Sequence, residues 1–140
     1  MSEGTFLLEV VTPQAKVFSG DVETVVAPGF LGDFGVLSGH VPYITAMRPG
    51  VLMFDHGGEH HCYVAGAGFA EVGPDKVLLL TDLCEDASGV DITEAEERLR
   101  AAEQVLVDAE PSQHQYLDAQ VDMALQVARI RAAGEVASRG

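Results

Sequence analysis

Residues 82–100 read DLCEDASGVDITEAEERLR, and within this stretch the pattern of apolar residues changes from that of strands to that of a helix. The small residues at 87–90 predict a flexible linker. Asp91 or Thr93 can cap the helix that follows, because a cap side chain accepts a backbone N–H of the first turn. Three glutamates come directly afterwards, where the helix dipole favours negative charge. The stretch therefore predicts a change of architecture.

Before this stretch the apolar residues occur in short runs. Each run has the length of a strand, and most are rich in the residues that half-buried strands favour: FLLEVV, KVF, VETVVA, YITAM, VLMF, CYVAG, FAEV and KVLLLT. Turn-forming segments such as APG, RPG and DHGGEH separate the runs. Eight or more short strands at close spacing predict an all-β sandwich, a flattened antiparallel barrel, over residues 1–86.

After the stretch, over residues 87–140, apolar residues recur every three or four positions, as they do along one face of a helix. The first seam consists of Ile92, Ala95, Leu99, Ala102, Leu106 and Ala109, and the second of Leu117, Val121, Ala124, Leu125 and Ala128. Pro111 ends the first helix, because proline cannot continue the hydrogen-bond ladder. Two helices of roughly 17–20 residues with so short a connection predict an antiparallel α-helical hairpin. Its alanine-rich seams bury little area, so it should lean on the sandwich or on a partner.

The chain is acidic, with 22 Asp and Glu against 8 Lys and Arg and a formal net charge of -14. This charge repels a phosphate backbone and argues against nucleic-acid binding as the main activity. No apolar run approaches the ~18–20 residues that cross a bilayer, and the N-terminus has no signal or transit character. We expect a protein that works in a bacterial cytoplasm without entering the membrane. Cys62 and Cys84 are expected to be reduced thiols.

The segment DHGGEHHC, residues 55–62, holds the densest set of potential metal ligands. One hypothesis is a small metal-dependent β-sandwich enzyme that uses His56, His60 and His61, with Asp55 or Glu59 completing the site. The other interpretation is a solvated hairpin turn at the two glycines. Adjacent residues of a strand point to opposite faces, so His60 and His61 would not share a site. No nucleophile triad or phosphate-binding loop accompanies the cluster.

Residues 10–52 carry several motifs in a fixed order: TP at 12–13, VFSG at 17–20, APG at 27–29, GDFGVL at 32–37, GH at 39–40 and RPG at 48–50. This run closely resembles the amino-terminal domain of the epsilon subunit of bacterial F-type ATP synthases, which is similar to the delta subunit of the mitochondrial enzyme. The likeness continues through YVAGAGFAEVGPDKVLLLTD, and the helical hairpin fits the family's second domain.

The resemblance implies a non-catalytic subunit of the rotating central stalk, with no cofactor or metal of its own. Such a subunit packs against the gamma subunit and rests on the c-ring of the membrane sector. It thereby couples proton-driven rotation to ATP synthesis in the catalytic head. The implied location is the cytoplasmic side of the bacterial inner membrane, as a peripheral component. A contact of the hairpin with the alpha and beta subunits is left open.

The resemblance also places the segment that meets the c-ring at residues 32–40, GDFGVLSGH. The implied contact residues are Asp33, Phe34 and His40. Of these, Asp33 can pair with a basic or amide group on a c-ring loop. The implied shape is a protruding turn, in which glycine lets two backbones approach closely. The residues expected to shape it are Gly32, Gly35 and Gly39.

Some family members bind ATP between sandwich and hairpin through an I-D-x-x-R-A pattern. In this chain the aspartate of the pattern is replaced by Thr93 and the arginine by Glu96. A carboxylate at the arginine position repels phosphate, so we expect no nucleotide binding there. The hairpin arginines, mixed with ten acids, are interpreted as a solvated helix face. We therefore expect the hairpin to inhibit ATP hydrolysis weakly or not at all.

Overall fold

The computed structural model describes residues 4–40 and 42–139 of the chain. A β-sandwich of ten strands is followed by two helices, which confirms the predicted sandwich and hairpin. The strands are β1 (Phe6–Val11), β2 (Lys16–Val22), β3 (Thr24–Gly29), β4 (Gly32–Leu37), β5 (Tyr43–Met47), β6 (Gly50–His56), β7 (Glu59–Ala65), β8 (Gly68–Val72), β9 (Lys76–Thr81) and β10 (Cys84–Asp86). The helices are α1 (Ile92–Asp108) and α2 (His114–Arg139).

The strands form one continuous sheet that folds over on itself, in the order β10-β7-β6-β3-β5-β8-β9-β1-β2, with β4 paired to β3. All but one of these pairs are antiparallel, as expected. The exception is the parallel pair of β1 and β9, in which Leu8 lies opposite Val77. A parallel pair needs a long crossover connection, and here the connection is the run of strands between them.

The main core lies between the two layers of the sandwich. Along β1 the side chains of Phe6, Leu8 and Val10 are buried and alternate with partly exposed ones, as a strand with one face on a core requires. The same cluster includes Leu52, Phe54, Val77 and Leu79. Fully burying such a side chain contributes about 1.5–3 kcal/mol, so this layer supplies most of the hydrophobic stability.

Two segments differ from the sequence prediction. GDFGVL, expected in a protruding turn, is strand β4, and each of its residues lies opposite one of β3. Residues 87–89, expected in a flexible linker, form a 3-10 turn in which Ala87 is buried. Asp86 fixes this turn, because its carboxylate accepts a hydrogen bond from the backbone N–H of Ser88 at 2.9 Å. The division of the chain after Asp86 into two domains stays a prediction.

The ends of the helices follow the expected chemistry. Asp91, not Thr93, is the N-cap of α1, and its side chain accepts a hydrogen bond from the backbone N–H of Glu94 at 3.1 Å. The helix ends before Pro111, as predicted. The second helix has 26 residues, longer than predicted, and it includes most of the terminal segment GEVASRG.

The hairpin docks through α2, which lies across the outer face of β6 and β7. A second apolar cluster forms there from Val51, Val64, Ala87, Ala128 and Ala132. Because Ala128 and Ala132 have small side chains, the backbone of α2 can lie close to the sheet. The first helix packs mainly on α2, where Ala95 and Ala102 are buried.

The predicted second seam is wrong at its beginning. The side chains of Leu117 and Val121 are 53% and 54% exposed. Farther along α2, Ala128 of the same seam is buried in the second apolar cluster, against the sandwich. Among the described residues, no helix is long and apolar enough to span a membrane.

Candidate partner-binding surfaces

The turn between β3 and β4 forms an exposed tip of the sandwich. Phe30 and Leu31 occupy this tip with 64% and 96% of their surface exposed. The turn closes on Gly32, whose φ of 138° is a conformation that only glycine adopts without strain. An apolar pair so exposed is costly in water, and it marks the tip as a candidate contact surface.

Asp33 follows the tip at the start of β4, opposite Pro28. Its side chain is exposed, and it forms no ion pair with any residue in the described part of the chain. Phe34 is partly buried and packs edge-on against Tyr43, with ring centroids 5.7 Å apart. Asp33 is therefore exposed and unpaired among the described residues, whereas Phe34 supports the tip from within.

The structure does not bring His40 together with Asp33. Their segment is extended, and the four steps from Asp33 to Leu37 cover about 13 Å at about 3.3 Å per residue. The His40 ring lies edge-on to Phe6 at 5.2 Å, and its Nδ1–H donates to the carbonyl oxygen of Leu37 at 2.7 Å. The two side chains therefore lie at opposite ends of β4 and not in one turn, and the predicted contact of both with the c-ring stays a prediction.

The three glycines of this segment differ in what they do. Gly32 and Gly39 have positive φ values of 138° and 80°, so both permit turns, one at each end of β4. Gly35 lies inside the strand, and a methyl group there would meet only the Val25 carbonyl oxygen at 3.9 Å. The backbone of Gly35 therefore does not require a glycine, and the structure gives no support to its expected role in shaping a turn.

A second exposed surface lies on the outer face of β5, β8 and β9. Ile44, Phe69 and Leu80 are 73%, 60% and 46% exposed, and Phe69 lies directly opposite Leu80 in the sheet. The apolar face, defined here as Ile44, Phe69 and Leu80, is distinct from the face that α2 covers. Sequence analysis missed it, although the unbroken apolar run VLLL within KVLLLT carries the signal of a strand that is apolar on both faces.

The histidine cluster is divided between two faces of β6 and β7. His60 donates from Nδ1 to the Asp55 carboxylate at 2.6 Å, on the face that α2 also covers. His61 stacks on Phe54, with ring centroids 5.0 Å apart, and His56 donates to the Asp21 carbonyl oxygen. Within residues 4–40 and 42–139, no group of three or more His, Cys, Asp or Glu side chains is arranged to hold a metal ion. The geometry therefore favours the hairpin-turn interpretation over the metal-dependent enzyme.

The two cysteines are free thiols, as expected. Cys84 packs against the sandwich core, whereas Cys62 lies in the cluster beneath α2. Burial raises the pKa of the Cys84 thiol to about 11 and also raises the pKa of Cys62. Both therefore stay protonated and unreactive near neutral pH.

Arg129 of α2 does not belong to the solvated helix face that the sequence predicts for the hairpin arginines. Its side chain is buried and donates from Nε to Oε1 of Glu85 at 2.9 Å and from Nη1 to Oε1 of Glu94 at 3.3 Å. Nη1 also donates to Gln126 at 2.9 Å. Hydrogen bonding to Glu85 raises the pKa of the guanidinium still further. Its position beside Ala128, in the apolar stripe of α2, is the sequence signal that could have indicated its burial.

The positions that replace the nucleotide-binding pattern lie on the first turns of α1. Both Thr93 and Glu96 are exposed, and neither contacts Arg129. Glu94, between them, accepts the hydrogen bond from Arg129 instead. The buried guanidinium of Arg129 is thus already paired with the Glu85 and Glu94 carboxylates of the same chain.

Comparison with known proteins gives consistent results. The family described as "ATP synthase, Delta/Epsilon chain, beta-sandwich domain" matches residues 5–87. The ATP synthase epsilon chain of Nitratidesulfovibrio vulgaris is 40% identical over 131 residues, which are 92% of this chain and 97% of the relative. ATP synthase epsilon chain 2 of Syntrophotalea carbinolica is 35% identical over 127 residues, 91% of this chain and 92% of the relative.

A solved structure shares the fold. It is a chain of the Euglena gracilis mitochondrial ATP synthase, OSCP/F1/c-ring in rotational state 1, with a TM-score of 0.82 at 20% sequence identity. The match covers 95% of this chain and 83% of that chain. The likeness therefore includes both the sandwich and the hairpin.

Proposed function

The chain belongs to the delta/epsilon family of ATP synthase subunits, and from that premise we propose that it is a non-catalytic subunit of the central stalk. In this role it couples rotation of the c-ring to ATP synthesis through the gamma subunit. The observation that carries the proposal is the exposed tip at Phe30 and Leu31, directly beside Asp33, which forms no ion pair among the described residues. A sandwich with such a tip is built to touch another protein.

The c-ring contact is assigned to this tip. Leu31 and Phe30 supply apolar area, and Asp33 supplies a carboxylate for a basic or amide group on a c-ring loop. Phe34 holds the tip in place through its contact with Tyr43. His40, at the other end of β4 beside the exposed Leu37, stays a further predicted contact with the c-ring.

The gamma contact is assigned to the apolar face of Ile44, Phe69 and Leu80. Phe69 lies directly opposite Leu80, and Ile44 lies on the next strand, diagonal to Phe69 and opposite the exposed Glu71, so the apolar side chains are bordered by one carboxylate. Permanent subunit interfaces are more apolar than ordinary surface, so this face suits a partner that stays bound through every turn of the rotor. The hairpin occupies a different face, so both can be engaged at once.

The location that follows is peripheral, on the cytoplasmic side of the bacterial inner membrane. The hairpin rests against the sandwich through the contacts of Arg129 and the second apolar cluster. In this position it inhibits ATP hydrolysis weakly or not at all, and it contacts the alpha and beta subunits only if it is released.

The assignment of Asp33 is tested by charge reversal. Asp33→Lys, rebuilt into the ATP synthase complex, is expected to lower ATP-driven proton pumping and to weaken retention of the c-ring. The matched control is Glu103→Lys, an exposed charge reversal on α1. Pumping and c-ring retention that stay equal in the two variants would refute the assignment.

A further inference from the structure

A small cavity lies where the sandwich meets the middle of α2. It has a volume of about 210 Å³ and is bordered by Pro28, Asp33, Pro49 and two arginines, Arg48 and Arg131. Arg48 comes from the turn between β5 and β6, and its backbone N–H donates to the Pro28 carbonyl oxygen at 3.2 Å. Arg131 comes from α2. Two separate elements thus each place an exposed arginine at the edge of this cavity.

Neither arginine forms an ion pair within residues 4–40 and 42–139, although Asp33 borders the same cavity. In the part of the chain that the structure describes, Arg98, Arg129 and Arg139 form ion pairs with carboxylates, but Arg48, Arg100 and Arg131 form none; of these three, only Arg48 and Arg131 border the cavity. This is unexpected in a chain whose formal net charge is -14, where carboxylates are plentiful. Two like charges at one site repel each other unless an anion lies between them.

We propose that this cavity is a binding site for a small oxyanion of the phosphate class, held between Arg48 and Arg131. Guanidinium groups present planar pairs of N–H donors that match phosphate oxygens. The proline and alanine walls, Pro28, Pro49 and Ala128, exclude water from one side of the site and strengthen the attraction.

Asp33 limits which anions fit. Its carboxylate borders the same cavity, so the two arginines leave a single excess positive charge. The site therefore favours an anion of low charge over a polyanion such as a nucleotide triphosphate. It is separate from the Arg129 cluster, whose guanidinium is already bound by Glu85 and Glu94.

The test uses the full chain in solution, titrated with inorganic phosphate at constant ionic strength and followed by amide chemical shifts. Arg48→Gln and Arg131→Gln should each bind phosphate about fivefold more weakly, while Asp33→Asn should bind about threefold more tightly. The matched control is Arg100→Gln, because Arg100 is an exposed arginine on α1 and forms no ion pair in the described residues. It should bind as the unaltered chain does.

Saturable shifts at Gly50 and Ala128 that follow this order support the site. Shifts that are absent, that do not saturate, or that are equal in all four variants would show only general screening of charge and would overturn it. Weaker binding by Asp33→Asn would also overturn it. Since the measurement needs no other subunit, it is independent of the central-stalk proposal.

Discussion

Arg129 donates to Glu85 at 2.9 Å across 44 residues of sequence, so one side chain ties the second helix to the last strand of the sandwich. The same guanidinium reaches Glu94 on the first helix at 3.3 Å. The Arg129 guanidinium therefore joins three elements, β10, α1 and α2. With the apolar cluster beneath α2, this arrangement keeps the hairpin folded against the sandwich.

Arg129→Gln is expected to loosen the hairpin. The variant leaves the Glu85 and Glu94 carboxylates without their shared cation, which should cost about 2 kcal/mol, since both carboxylates are partly exposed. Hydrogen exchange of the α2 amides should then be about 30-fold faster, while that of β1 is unchanged. Arg100→Gln serves as the control. Equal protection of α2 in both variants would contradict the assigned role.

Removal of the hairpin is expected to leave ATP hydrolysis of the reassembled complex unchanged. The physical reason is that a helix entering the catalytic head has first to leave Arg129's ion pairs and the second apolar cluster. The measurement compares the ATPase rate of complexes with the full chain and with residues 91–140 deleted. A several-fold rise on deletion would mean that the hairpin inhibits.

Gly32→Ala should destabilise the sandwich by about 1–2 kcal/mol, because its φ of 138° strains any side chain. Gly35→Ala, three residues along the same strand, should cost less than about 0.5 kcal/mol, since the added methyl group has room. Urea unfolding of the two variants measures the difference. The explanation fails if Gly35→Ala proves the more damaging change.

Acid should weaken the contact between β1 and its neighbours. The Glu9 carboxylate accepts hydrogen bonds from Lys16 at 2.8 Å and Lys76 at 2.6 Å, and these lower its pKa from 4.5 to about 2. A folded pKa below the unfolded one adds stability above pH 4.5, and this stability is lost as the pH falls from 4.5 to about 2.

The measurement is urea unfolding of the unaltered chain and of Glu9→Gln from pH 7 to pH 2. The variant should be less stable near pH 7, and the difference should shrink as the pH falls below 4.5. A difference in the free energy of unfolding that stays constant over this range would contradict the assignment.

The sequence was sufficient for the architecture where local chemistry decides it. Alternating apolar residues and turn segments predicted the sandwich, and the two candidate caps, Asp91 and Thr93, predicted the start of α1, because both signals act over a few residues. Strand β4 was missed because the glycines of GDFGVL favour turns; its extended form depends on pairing with β3.

Contacts between residues distant in sequence could not be predicted, because they too depend on how separate elements pack together. Arg129 finds partners 35 and 44 residues away, so its burial depends on how α2 lies on the sheet. Leu117 and Val121 fit a helical seam, yet they stay exposed while the C-terminal part of that seam packs on the sandwich. A helical pattern specifies which side chains share a face and leaves open what covers that face.

The central claim is that the chain is a rotor subunit that binds gamma through its apolar face. Its most direct test is affinity capture of the tagged chain from detergent-solubilised membranes, beside the variants Phe69→Glu and Val107→Glu. Both residues are exposed, but only Phe69 lies on the apolar face. We expect gamma and the c subunit to be recovered with the unaltered chain and with Val107→Glu, and gamma to be lost with Phe69→Glu. Absence of gamma and c from the capture, or full recovery of gamma with Phe69→Glu, would contradict the claim.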